Sequence, residues 1–308
     1  MMLAPMLVAA LALGQTTSAP FVRSRVDAKD PGTQCLFWTV PTLTWHLSTV
    51  GNPKSTDAQK QEEFAAIRAS FQNWQDVFAA CGNLRIQEGP MLDERKVGYN
   101  MKGDNHNVVL FRSRRCADVV PSTDKCHSED SCGNVYDCWD GNDGTIALTL
   151  TTYDEKSGII YDSDIQLNSA HYAFTTVDKP VCTTKPVINT NSCVSTDVQN
   201  TMTHEIGHLI GLDHTGAAGS TMKATAPEGE ITKRSIDDGS AAFVCQAYPK
   251  NQASQSCFTR TLESTDEGAA TLGPLARGCS STGAEGGLLA LVGGALLAWR
   301  RRRGGARS

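Results

Sequence analysis

The chain has 308 residues, 40% apolar and 20% charged, which suits one globular domain with appendages and excludes a low-complexity or fibrous protein. Its formal net charge is -5. No basic stripe crosses the central region, so the composition gives no basis for a nucleic-acid partner.

The opening stretch MMLAPMLVAALALGQTTSAP has an apolar core from Met6 to Leu13, and Ala12-Leu13-Gly14 offers a cleavage triplet before Gln15. The pattern predicts a signal peptide over 1–14 and export, followed by a short N-terminal segment over 15–34. Cysteine usage points the same way. Of the 11 cysteines, all but Cys279 fall between Cys35 and Cys257, an even set that reads as up to five disulfides in an oxidising compartment. Cys182 with Cys193 would close a short loop, and Cys116 to Cys138 could form a self-contained knot. The remaining pairings stay open.

Leu43, Trp45 and Leu47 alternate as in a half-buried strand. Next, Phe64, Ile67, Phe71, Trp74 and Phe78 recur at intervals of three and four, the stripe of a long amphipathic helix. Ser55, Thr56 and Asp57 are its capping candidates, and Gly82 is its stop. Short strands are expected at 84–87, 107–111 and 145–151. Between the last two lies the insertion RRCADVVPSTDKCHSEDSCGNVYDCWDGNDG, a polar loop that disulfides must pin. Its Asp140, Asn142 and Asp143 suit either turn chemistry, the favoured reading, or a calcium ion. GIIYDSDIQLN reads as an edge strand, with Asp162 and Asp164 open to the same two readings.

After a disulfide-bearing loop, STDVQNTMTHEIGHLIG predicts a second long helix, with caps at Ser195 or Thr196, apolar Val198, Met202, Ile206, Leu209 and Ile210, and Gly211 as its stop. KRSIDDGSAAFVCQAYP predicts a third helix with a serine cap, Ser235, ending at Pro249. Residues 251–278, rich in Ser, Thr, Gln and Gly, read as a linker that Cys257 could tie back to the domain. No internal repeat is evident.

The chemistry concentrates in THEIGHLIGLDHTGAAGSTM, residues 203–222. Positions four apart share a helix face, so His204 and His208 aim their rings at a common point. A catalytic zinc takes three protein ligands and keeps a position for water. Gly211 lets the chain turn back and bring His214 to the same ion. Glu205, rotated ~100° from His204, reaches a water there without being a ligand and is the candidate general base.

The pattern HEIGHLIGLDH resembles the metzincin signature H-E-x-x-H-x-x-G-x-x-H, and the spacing from His214 to Met222 resembles that of the matrixins. The likeness extends from about residue 35 to 250, through SFQNWQDV, GIIYDSDIQLN and RSIDDGSAAFVCQAYP. It implies a metzincin-like α/β (α+β) catalytic domain over 35–250, with a twisted mixed sheet, two long helices and a C-terminal helix. It further implies zinc on His204, His208 and His214, catalysis by Glu205, a structural platform from Met222, and an endopeptidase of extracellular proteins or peptides, expected as a monomer. Lys223 and Ala224 follow Met222 where matrixins have Tyr-Pro, and no cysteine-switch motif precedes the domain. Cys35 is expected in a disulfide rather than as a thiolate on zinc. His46, His106, His127 and His171 show no ligand spacing.

The last residues, 279–308, pair an apolar run of 14 residues (Gly286 to Trp299) with the cluster Arg300 to Arg303. That run makes ~21 Å of helix against a ~30 Å hydrocarbon core. With Cys279 ahead of it, the arrangement resembles the myxobacterial C-terminal sorting tail. The resemblance implies a transient membrane anchor, a sorting protease that acts near Cys279, and delivery to the cell surface or outer membrane, or secretion. A plain membrane anchor is the alternative. For the whole chain, the rival from another class is a zinc-binding surface or adhesion module without turnover, in which a carboxylate beside the ligands would have no function.

Overall fold

A computed structural model describes residues 21–184, 186, 191–257 and 272–280; residues 1–14, expected to be a signal peptide, and the expected sorting tail beyond Ser280 lie outside the described residues. In chain order come β1 (Val22–Arg23), β2 (Thr42–Leu47), α1 (Asp57–Cys81), β3 (Arg85–Glu88) and β4 (Asn107–Phe111). The insertion holds three single-turn helices, α2 (Cys116–Val119), α3 (Cys126–Glu129) and α4 (Cys132–Tyr136). Then follow β5 (Thr145–Asp154), β6 (Ile160–Leu167), β7 (Phe174–Thr175), β8 (Thr196–Asp197), α5 (Val198–Leu209), β9 (Leu212–Asp213), α6 (Asp238–Ala247) and β10 (Leu272–Ser280).

The main sheet has the order β10-β5-β6-β4-β2-β3. β2, β3, β4 and β6 run parallel, whereas β5 lies antiparallel on β6 and β10 antiparallel on β5. This is the mixed α/β fold expected. α1 starts where Thr56 accepts from the Gln59 amide and the Gln59 side chain accepts from the Thr56 amide, a reciprocal cap. Its apolar stripe faces the sheet and α5: Phe71 stacks on Trp45 with ring centroids 3.8 Å apart, and the buried Trp74 indole donates to the Thr203 carbonyl at 2.9 Å. Truncating a side chain like Trp74 costs about 3–5 kcal/mol, so the site helix is anchored from behind.

Four expectations need correction. GIIYDSDIQLN is not an edge strand: β6 sits between β4 and β5, with Val109 opposite Ile165 on one side and Thr149 opposite it on the other. Its two aspartates, left open between turn chemistry and a calcium ion, are buried in the strand as a pair. α5 is capped by Asp197, whose carboxylate accepts from the Asn200 amide at 2.7 Å, and not by Ser195 or Thr196. Asp237 rather than Ser235 caps α6. Finally, residues 272–280, expected in the linker and at the start of the tail, form a strand that extends the sheet.

Five disulfides join Cys35–Cys257, Cys81–Cys245, Cys116–Cys138, Cys126–Cys132 and Cys182–Cys193. The short loop and the insertion knot are as expected, and Cys35 is a disulfide partner. Among the described residues, no helix is long and apolar enough to cross a membrane.

Candidate active site

α5 carries His204 and His208 one turn apart, and the chain reverses after Gly211 to return His214. Gly211 has φ +101°, and a Cβ there would lie 2.5 Å from the Leu36 carbonyl oxygen, so only glycine fits the reversal. Three successive carbonyls at and just past the end of α5 are engaged: Leu209 accepts from the Trp38 indole at 2.8 Å, Ile210 from the Tyr248 hydroxyl at 2.6 Å, and Gly211 from the Ser24 amide at 2.8 Å. That clamp fixes where the returning strand β9 leaves the helix.

The three imidazoles converge. Their Nε2 atoms lie 3.2 Å apart for His204 and His214, 3.2 Å for His204 and His208, and 3.1 Å for His208 and His214. Nδ1 of His204 donates to the Thr221 carbonyl at 2.6 Å and Nδ1 of His208 to the Leu212 carbonyl at 2.8 Å. Those bonds place the proton on Nδ1 and leave the Nε2 lone pair aimed at the shared centre. Burial, then the neighbouring His214 and Lys233, hold the His204 imidazole well below its ordinary pKa and therefore neutral. Converging lone pairs at this spacing call for a cation. Tetrahedral ligands with bonds of ~2.0–2.1 Å lie ~3.3 Å from one another, so the donor set fits zinc.

Glu205 is fully buried, and its Oε2 accepts from the Thr149 hydroxyl of β5 at 2.7 Å. Met222 lies beneath α5, buried against Gly207, where a Cβ would approach its Sδ to 2.3 Å. The turn that carries Met222 is held by Asp237, whose Oδ2 accepts from the Thr221 amide at 2.8 Å, Ser220 Oγ at 3.1 Å and Ser240 Oγ at 2.6 Å. Partial burial opposes ionisation of Asp237, but these hydrogen bonds outweigh it and hold the carboxyl below its usual value. Thus Asp237 fixes Thr221, and the Thr221 carbonyl fixes His204.

Thr149, Gly207, Asp237 and Asp197 escaped the sequence reading. Asp197 caps α5 and also receives Nε and Nη2 of Arg234 at 2.9 and 2.5 Å, tying the helix to the segment before α6. The one local signal for Gly207 is a helix-breaking residue within a helix pattern; the others depend on long-range contacts.

The remaining candidates stay apart from this centre. Asp140 accepts from the Gly133 amide, Asn142 from the Gly144 amide in its own turn, and Asp143 faces His171. Asp162 and Asp164 form a buried pair in which Asp164 accepts from the Gly98 and Val108 amides. Cys126, His127 and Cys132 approach one another, but both sulfurs belong to one disulfide and offer no thiolate. His46 and His106 contact each other's ring edges near Pro90 and Glu94. A cavity of about 560 Å³ lies on the far face of β5, lined by Leu148, Leu150 and the insertion disulfides. Cys279 falls in β10, opposite Ala147 of β5.

Residues 127–248 match the Peptidase_M10 family model, Matrixin. The three histidines, Glu205, Thr149, Gly207, Met222 and Asp237 all lie inside the match, which supports a matrixin-like metallopeptidase. No curated protein matches the chain.

Proposed function

We propose that this chain is an exported zinc-dependent endopeptidase that hydrolyses peptide bonds of extracellular proteins or peptides. The observation that carries the reading is the trio of Nε2 atoms 3.1–3.2 Å apart, with Glu205 on the helix that carries two of the three histidines. His204, His208 and His214 would hold the metal, and Met222 would support it from below. Zinc bound there supplies a Lewis acid that polarises the scissile carbonyl and lowers the pKa of water toward ~7. Glu205 accepts a proton from the attacking water and passes it to the leaving nitrogen. Thr149 holds that carboxylate in place through Oε2.

Export is supported by five disulfides, which form and persist in oxidising compartments. Delivery to the surface through the Cys279 tail and a sorting protease, with the mature domain a monomer, completes the proposal. The test is to purify the chain from an oxidising host, measure zinc per chain, and follow cleavage of an unstructured protein by the wild type and Glu205→Gln. Stoichiometric zinc with cleavage lost in the variant is expected. Equal, negligible cleavage by both forms at full zinc loading and saturating substrate would sink the protease reading.

A further inference from the structure

β5 is the strand whose Thr149 holds Glu205, and the edge it turns away from β6 is covered by β10. The register runs from Leu272 opposite Asp154 to Ser280 opposite Thr145, and Arg277 stands opposite Thr149. The backbone of β10 also passes within 8 Å of α5. This segment therefore lies antiparallel along the sheet edge nearest the histidine cluster. A sheet edge binds an extended peptide by adding it as a strand, through main-chain hydrogen bonds. An incoming peptide and β10 cannot both occupy that edge.

The composition of β10 marks it as an occupant that can leave. LGPLARGCS contains no β-branched or aromatic residue, has glycine at 273 and 278, and has at Pro274 a residue without an amide to donate. It follows the last disulfide-bonded cysteine, Cys257, so no described element downstream depends on its place. β5, by contrast, is secured by β6 along its length.

We propose that Leu272–Ser280 is an internal peptide bound at the substrate edge of β5, which holds the full-length chain in a low-activity state until it is displaced or cut away. The proposal rests on the endopeptidase reading above. Its regulation is competitive: the strand raises the apparent KM for an extended substrate and leaves kcat unchanged.

The test uses the zinc-loaded full chain and the double variant Ala276→Pro, Arg277→Pro. Neighbouring residues of a strand point their amides to opposite sides, so one of the two prolines must remove a ladder donor. Amide hydrogen exchange should show alternate protection on the outer edge of β5 in the wild type and its loss in the variant, with α5 protection unchanged in both. The KM for an unstructured peptide should fall about tenfold, and a synthetic peptide spanning 272–280 with Cys279→Ser should restore the block when added to the variant. An unprotected outer β5 edge in the wild type overturns the proposal. So does loss of protection without a change in KM while Glu205→Gln still abolishes turnover, an outcome that leaves the peptidase reading standing. Absence of turnover from wild type and variant alike, at one zinc per chain, overturns both.

Discussion

The hydroxyl of Thr149 on β5 donates to Oε2 of Glu205 on α5 at 2.7 Å, so this strand and the site helix meet at the candidate base. Thr149→Val keeps the shape of the side chain and removes the donor. A hydrogen bond to a charged group contributes about 1.5–3 kcal/mol, and we expect kcat to fall roughly 10- to 100-fold with zinc stoichiometry unchanged. The carboxylate loses a bond to its ionised form, so the acidic limb of the pH–rate profile should move to higher pH. A profile that keeps its acidic limb would show that Thr149 only packs.

Gly207 makes room for Met222. Alanine in a helix interior is favoured over glycine by about 1 kcal/mol, yet here its Cβ would sit 2.3 Å from the methionine sulfur. Overpacking costs about 1–3 kcal/mol, so Gly207→Ala should lower stability and loosen the floor of the site. Thermal unfolding of Gly207→Ala, Met222→Ala and the double variant should reveal a strong coupling. Additive losses would mean that the two residues do not press on one another.

Asp237 acts at two removes from the histidines. Asp237→Ala removes the cap of α6, worth about 1 kcal/mol, and frees the turn whose Thr221 carbonyl orients His204. Changes to groups that orient metal ligands cost about 10–100-fold in affinity, and a chelator-competition titration should find zinc binding weakened by that much. Unaltered zinc affinity in a folded variant would confine Asp237 to helix capping.

The buried pair in β6 makes stability depend on pH. Burial pushes the Asp162 carboxyl up to about 6 and raises Asp164 beside it well above the usual range. Between the ordinary value of 3.8 and about 6 the folded state binds more protons than the unfolded one. The free energy of unfolding therefore declines as pH rises through that window and Asp162 ionises, and Asp164, raised as well, adds to the loss as it ionises. Asp162→Asn removes the charge, so at pH 7 the variant should be more stable by on the order of 1–3 kcal/mol. Urea midpoints at pH 4 to 7 measure this, and parallel curves for the two proteins would refute it.

What the sequence discloses is governed by range. The stripe Phe64 to Phe78 and the spacing of His204, His208 and Gly211 obey helical period, a local rule, and they fold as expected. Asp197 and Asp237 lay one or two residues from the serine and threonine caps that local preference suggested, because each also answers a distant partner, Arg234 or Thr221. Asp162 and Asp164 stayed open between turn chemistry and a calcium ion, since nothing in their own strand reveals that the Gly98 and Val108 amides reach Asp164. β10 was hidden for the opposite reason: it has little strand propensity of its own and borrows its form from the edge of β5.

The bond between Cys35 and Cys257 joins positions 222 residues apart and so closes nearly the whole described domain into a covalent ring. A ring cut once stays in one piece. Any single nick between those cysteines, in the insertion or in the loop near Cys182, leaves both fragments attached and the opposing elements in register. The domain would keep its shape through a first cut that would divide an open chain in two.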